Sequence, residues 1–416
     1  ERQRDRDRDR DRETERPIYR RGRKERYERN MMHKGALHEK LRIQKVVVTG
    51  NTITNDDMFM YHLDRLGSCE SVAEISEATA SLSSYLRHFS TVKGASITLM
   101  GEDGGRHGDA VGCTMLVRLT ETRSPKGSIG VTSSQLDGVK PALAMDISYA
   151  NAAGRGEEVS ANVQINSSLD PEGSLRFTKP YFDRGILSHS ISASLFANKN
   201  DLGALSAFHE RQIGAEIESH NFYKNHSFAL SHTLRTLTAS KDDAPLSVRL
   251  DCGHSAKNAV RHTFCFGQVD DNLEPRKGYK VRVVTELAGL GGDIGMVKQH
   301  CTGQVHVPLP GTLTFHGVLR GNIALPIPIG GLKAPLVCDR IHMGGMASIR
   351  GFEERGASRR DNGYAVGEYN SVEGSLAVST GLPKPFADIL RLHTFLDWGV
   401  QLDGRKGVGE VLRATT

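Results

Sequence analysis

Several residues of this chain could do acid–base or metal chemistry, but their spacing argues against it. Asp270, Asp271 and Glu274 put three carboxylates in one short run, and 17 histidines are scattered over 416 positions. General acid–base catalysis needs groups held in different environments around a substrate. Neighbouring carboxylates beside Pro275 and Gly278 instead suit capping of backbone N–H groups in a tight turn. No His-Glu-x-x-His or comparable ligand spacing occurs. The cysteines, Cys69, Cys113, Cys252, Cys265, Cys301 and Cys338, include no Cys-x-x-Cys pair and suit plain packing. No Gly-x-x-x-x-Gly-Lys-Ser/Thr run offers a phosphate cradle. Neither an enzyme nor a metal or cofactor site is expected. What remains is Arg350, in the run Gly344-Gly345-Met346-Ala347-Ser348-Ile349-Arg350-Gly351-Phe352. A guanidinium set between Ile349 and Gly351-Phe352 needs an acidic partner. Without one, the flanking apolar side chains would be exposed for nothing.

The elements that must position Arg350 are strands. It lies in a loop of about 40 residues, 324–363, far above ordinary connection lengths and so expected to be functional or disordered. On both sides, polarity alternates with period two. Leu143, Met145, Ile147 and Tyr149 alternate with Ala144, Asp146 and Ser148. Phe228, Leu230 and Leu234 alternate with Ser231, Thr233 and Arg235, and Leu392, Leu396 and Trp398 with Arg391, His393 and Asp397. About 14 such strands are predicted from 127 to 397, many near the length a tilted membrane strand needs. Their polar faces carry Glu, Arg, Gln and His, as a water-filled lumen would. A soluble sandwich or barrel also alternates and is the competing architecture.

Before the strands comes a segment of different period, 41–122. Ile43, Val46, Val47 and Val48 predict a strand. Thr54 or Asn55 is placed to cap a first helix carrying Met58, Tyr61, His62 and Leu66. A second helix over 71–88 puts Val72, Ile75, Ala78, Leu82 and Leu86 on one face. Two strands follow, 95–100 and one through Met115, Val117 and Leu119, with 102–108 as a polar loop between them. The order is β-α-α-β-β.

The net charge of +5 over the whole chain is misleading. Residues 1–29 hold 13 Lys/Arg and 9 Asp/Glu, which alone gives +4. That Arg-Asp alternation has no apolar face, so 1–40 reads as a disordered, solvated tail. The nearly neutral remainder is not expected to bind nucleic acid. No apolar window spans a bilayer as a helix, and the charged start carries no visible secretory leader, so a membrane role would fall to a barrel.

Three motifs carry a resemblance. They are Asp270-Asp271-Asn272-Leu273-Glu274-Pro275-Arg276-Lys277-Gly278-Tyr279, then Gly344 through Phe352, and then Phe395-Leu396-Asp397-Trp398-Gly399. Together with Gly154-Arg155-Gly156-Glu157 and Phe177-Thr178-Lys179-Pro180, they resemble the outer-membrane β-barrel assembly superfamily. The likeness is closest to its mitochondrial branch, the channel subunits of the sorting and assembly machinery. It runs from about 41 to the end. It implies an all-β transmembrane barrel, 16 strands in the family, at 126–416. It also makes 41–122 similar to one polypeptide-transport-associated (POTRA) module.

The resemblance implies that the long loop is a lid folded into the lumen, with Ile349, Arg350, Gly351 and Phe352 at its tip. Asp397, on the polar side of its strand, is then the acid for Arg350. Asp271, Pro275 and Gly278 mark the turn motif. Ser128, Ile129, Gly130, Val131, Thr132 and Ser133 form the seam strand, whose small residues suit close backbone approach. The implied function is insertion of unfolded β-barrel precursors into the mitochondrial outer membrane by strand pairing at a lateral seam. Partners would be the precursors, the lipid bilayer and accessory subunits, with the N-terminal domain in the intermembrane space. A protein-translocating channel of the same superfamily and a passive porin are the alternatives. The chain departs from the family pattern in two places. Residues 411–416 read as the start of a further strand, so the last two strands of the family barrel are expected to be missing. The Gly-Gly pair expected to open the strand after the lid reads Gly367-Glu368.

Overall fold

The computed structural model describes residues 41–86, 89, 91–107, 110–122, 125–134, 140–166, 171–183, 186–221, 225–327, 330–381 and 391–401. The charged tail and the segment 411–416 lie outside these. The chain divides into two compact units, the first built on the N-terminal residues through 124 together with 150–156 and 182–186.

In the first unit the strands β1 (Leu41–Thr49), β2 (Val92–His107) and β3 (Ala110–Glu121) make a sheet of order β1-β3-β2, with β1 parallel to β3. The helices are α1 (Met60–Gly67) and α2 (Val72–Leu86), so the order is β-α-α-β-β. Helical spacing puts Ile75, Ala78, Leu82, Tyr85 and Leu86 on the buried face of α2, against Met115, Val117 and Leu119 of the sheet. Ser71 and Glu74 both cap the start of α2. The Glu74 N–H donates to Ser71 Oγ (3.3 Å), and Glu74 Oε2 accepts from the Glu70 N–H (2.9 Å).

Two sequence expectations fail in this unit. Asn55 does not cap the first helix with its side chain, which instead donates to the Ala153 carbonyl at 3.2 Å. Glu121 Oε2 takes the N–H groups of Ile53 and Thr54 at 2.7 and 3.2 Å. The second failure is the expected polar loop over 102–108. The strand β2 runs on to His107, and its pairing with β3 shifts register between Gly101 and Arg106. Pairing with β3 skips 102–105 and resumes at Arg106 and His107, so the Gly-rich run forms a bulge inside the strand instead of ending it.

The second unit is one large antiparallel sheet. Its first strands are β4 (Lys126–Ser134), β5 (Lys140–Ala150), β6 (Glu158–Asn166), β7 (Pro171–Asp183), β8 (Ile186–Leu202), β9 (Phe208–Asn221) and β10 (His226–Ala239). Next come β11 (Gly253–Val269), β12 (Gly278–Ala288), β13 (Met296–Pro308) and β14 (Leu313–Pro326). A two-residue ribbon follows, β15 (Arg360–Asp361) with β16 (Tyr364–Ala365), and the sheet ends with β17 (Asn370–Gly381) and β18 (Arg391–Val400). Among the described residues thirteen strands are joined in the order β18-β17-β14 and then down in sequence to β4, against about 14 suggested by the alternation. Within the lid loop only the short β15–β16 ribbon forms.

Burial in this sheet is inverted relative to a soluble protein. Leu143, Ile213, Phe228, Leu319 and Leu396 are exposed, whereas Glu210, Lys257, Ser371, Glu373 and Ser375 on the opposite face are buried. A sandwich buries its apolar face and wets its polar one. An outer-membrane barrel does the reverse, because lipid covers the apolar face. No helix among the described residues is long and apolar enough to cross a membrane.

Candidate functional site: the lid loop and the wall

The lid loop leaves β14 after Pro326 and returns at β17, so it starts slightly later and ends later than the 324–363 that the sequence pattern indicated. Arg350 meets Asp397 of β18. Its Nε donates to Asp397 Oδ2 at 2.8 Å and its Nη2 to Oδ1 at 2.7 Å, while its own backbone N–H reaches Oδ2 at 2.9 Å. Nη2 also donates to Ser375 Oγ of β17 (2.7 Å), and the guanidinium lies 3.7 Å over the Phe395 ring. Two parallel N–H···O bonds plus a ring face use the planarity of arginine, which a lysine ammonium lacks. The hydrogen bond to Asp397 holds the Arg350 pKa above its ordinary value.

The surroundings fix this geometry. Ser348 Oγ donates to Glu373 Oε2 at 2.6 Å and accepts the Gly344 N–H at 3.1 Å. Ile349 is buried, and its Cδ1 packs so close to Gly399 that a Cβ there would lie 2.6 Å from it and push the Ile349 methyl aside. Gly351 has φ +92°, which lets the chain turn away after the arginine. Phe352 does not follow expectation. Its ring is exposed, and it contributes its carbonyl to the Gly345 N–H (3.2 Å). Gln401 ties the same region to the edge strand, donating to the Ile341 carbonyl at 2.8 Å.

The turn between β11 and β12 is held by its first aspartate. Asp270 Oδ1 accepts the N–H groups of Asp271, Arg276 and Lys277 at 3.0, 2.9 and 3.0 Å. The bonds from Lys277 and Arg276 hold its pKa below the usual range. Asp271 takes the N–H groups of Leu273 and Glu274 at 2.8 and 3.3 Å. Gly278, at φ +121°, has Gln268 O where a Cβ would sit, and Pro275 lies between these anchors. These carboxylates cap a turn and are spent on the backbone.

The seam residues Ser128, Ile129, Gly130, Val131, Thr132 and Ser133 all lie in β4, which pairs with β5 from Lys126↔Ser148 to Ser134↔Lys140. Among the described strands none pairs with the other side of β4, and Ile129 and Val131 are strongly exposed. Glu368, standing where a second glycine was expected, is buried and forms an ion pair with Arg359.

Sequence reasoning missed one cluster, in which Asp339 of the loop is met by Arg235, Lys257 and Lys298 from three strands. Arg235 and Lys257 sit on the lumen parity of their strands, which is the only signal the sequence gives.

A small α/β unit before a long antiparallel sheet, lipid-type on one face and carrying a lid pinned to the other, defines an outer-membrane barrel of the assembly class. Residues 151–414 match the Omp85 superfamily domain, and the chain belongs to that superfamily. It is 25% identical over 367 residues to the sorting and assembly machinery component 50 homolog of Mus musculus, covering 86% of this chain and 76% of that protein. A SAM50-like protein of Drosophila melanogaster is 24% identical over 384 residues, covering 86% of this chain and 82% of its own length. Among solved structures, BamA from Haemophilus ducreyi lacking POTRA domains 1-3 superposes with a TM-score of 0.72 at 17% identity, over 90% of this chain and 75% of that one. CdiB from Acinetobacter baumannii gives 0.51 at 13% identity, over 89% and 65%. Both likenesses concern the fold.

Proposed function

We propose that this chain inserts and folds β-barrel precursors in the mitochondrial outer membrane, as a member of an assembly complex. The observation that carries the mechanism is β4. It is a strand rich in small residues whose outer edge has no partner among the described strands, at one end of a sheet whose lipid-facing rows are exposed. A free edge offers backbone donors and acceptors to an incoming strand. Affinity then comes mainly from main-chain hydrogen bonds, so many precursor sequences are accepted. Nothing covalent is required, and the protein acts without catalysis. The lid, pinned to β17 and β18 by Arg350, braces the wall at the sheet's other end. The N-terminal unit, on the intermembrane-space side, receives precursors along an open edge of its own sheet. Accessory subunits complete the complex.

The test follows newly made precursors after depletion of the protein. Barrel precursors should stall while helically anchored and matrix precursors continue. In parallel, Gly130→Cys should form a disulfide with a cysteine placed in the last strand of an arrested precursor. Normal barrel assembly with loss of soluble cargo passage would instead make the chain a translocating channel.

A further inference from the structure

The lid loop is held at a second place, upstream of Arg350 and in the middle of the wall. Arg235 Nη1 of β10 donates to both carboxylate oxygens of Asp339 at 2.9 Å. Lys257 Nζ of β11 donates to Asp339 Oδ1 at 2.8 Å, and Lys298 Nζ of β13 to the Asp339 carbonyl at 2.9 Å. Two wall carboxylates complete the balance. Glu286 of β12 lies 2.5 Å from Lys257, and Glu210 of β9 lies 3.9 Å from Arg235. The neighbours of Asp339 are fixed too. Asp251 Oδ2, at the end of the short helix Leu246–Asp251, accepts the Val337 N–H at 2.8 Å and Arg340 Nη2 at 3.1 Å.

The two attachments differ in kind. Asp339 is 4% exposed and its partners Arg235 and Lys257 are 10% and 9% exposed. Removing the Asp339 carboxylate from such a cluster leaves Arg235 without its close acid, with only Glu210 at 3.9 Å, and strips Lys257 of one of its two acids. Arg350 is 34% exposed and has one carboxylate partner, so water can replace part of what it loses. The attachments also hold different parts of the sheet. Asp339 grips β10, β11 and β13, whereas Arg350 grips the edge strand β18 and its neighbour β17. Between them lie Gly344 and Gly345, at φ +110° and +94°, a backbone joint that other residues rarely adopt.

We propose that Asp339 is the permanent anchor of the lid and Arg350 its releasable latch. When the edge strand β18 moves, the latch opens, the loop turns about Gly344–Gly345, and the anchored part stays on the wall. Asp339 is thus a positioning residue for the lid. The movement of β18 rests on the insertase reading proposed above, whereas the anchor does not.

The experiment is hydrogen exchange by mass spectrometry on the full chain in lipid nanodiscs, read separately over 336–343 and 344–352. Arg350→Ala should speed exchange over 344–352 and leave 336–343 protected. Asp339→Asn should speed both, by about tenfold or more over 336–343 where a buried cluster is broken. If Asp339→Asn fails to reach the folded barrel, Lys298→Met decides, because it removes the bond to the Asp339 carbonyl and leaves the Asp339 carboxylate with Arg235 and Lys257. It should loosen 336–343 in the same direction. Unchanged protection of 336–343 in either Asp339→Asn or Lys298→Met overturns the anchor. So does Arg350→Ala exposing 336–343 as fully as Asp339→Asn, which would mean a single cooperative lock. Precursor insertion measured on the same variants separates the readings. The two-region exchange pattern with unimpaired insertion would keep the anchor and remove the lid from the insertase mechanism.

Discussion

At the scale of single residues, the Arg350 pair is held by geometry as much as by charge. Asp397 is 2% exposed and would be left without a cation by Arg350→Ala. That change should cost about 2–3 kcal/mol, below the upper range for buried pairs because the arginine is partly wet. The check is the temperature at which the folded barrel converts to its unfolded gel mobility, which should fall by several degrees. Arg350→Lys should recover less than half of the loss, since an ammonium cannot make the forked contact to both Asp397 oxygens or lie flat on Phe395. A lysine variant as stable as the native protein would reduce the site to a point charge. This pair was legible in the sequence because each member sits in a compact motif and Asp397 has the polar parity of its strand. The Asp339 cluster was not, because its partners lie 104, 82 and 41 positions away and meet only through sheet register.

At the scale of elements, the lid has a built-in response to acid. Burial, with Arg355 beside it, pushes the His342 pKa down to about 3 from an ordinary value near 6.5. A histidine depressed in the folded state stays neutral there, while the released loop takes up a proton below pH 6.5. Stabilisation by His342 is therefore complete above about pH 6.5 and is lost progressively as pH falls toward 3. Asp339 does not share this window. Burial opposes its charge, but Lys257 and Arg235 hold its pKa at about 2. The conversion temperature should drop between pH 7.5 and 5.5, and His342→Gln should flatten that drop. Equal pH dependence in the variant would assign the effect elsewhere. The pair β17–β18 makes a second prediction. A Cβ at Gly374 would meet the Trp398 ring at 2.3 Å, so Gly374→Ala must displace that ring. Overpacking of this kind costs about 1–3 kcal/mol and should shift the tryptophan emission. Strand periodicity was legible in the sequence throughout this unit. The resumption of β2 at Arg106 and His107 was not, because Gly-rich composition reports local preference and not the pairing partner.

At the scale of the whole molecule, the inverted burial decides between a sandwich and a membrane barrel, and the chain carries its own probe. Trp398 is the only tryptophan. It is 45% exposed, on the face of β18 opposite to the buried Asp397. In a bilayer that face meets acyl chains, and in a soluble sandwich an equally exposed ring would meet water. Reconstitution into vesicles of brominated lipid should quench Trp398 strongly, while acrylamide in the aqueous phase should quench it weakly. The depth of the bromine along the acyl chain that quenches best then places β18 across the membrane. The reverse result, strong acrylamide quenching and no effect of bromine, would mean that the apolar rows face water or another protein. The free edge of β4 would then have no lateral opening into lipid, and insertion at a seam would lose its physical basis.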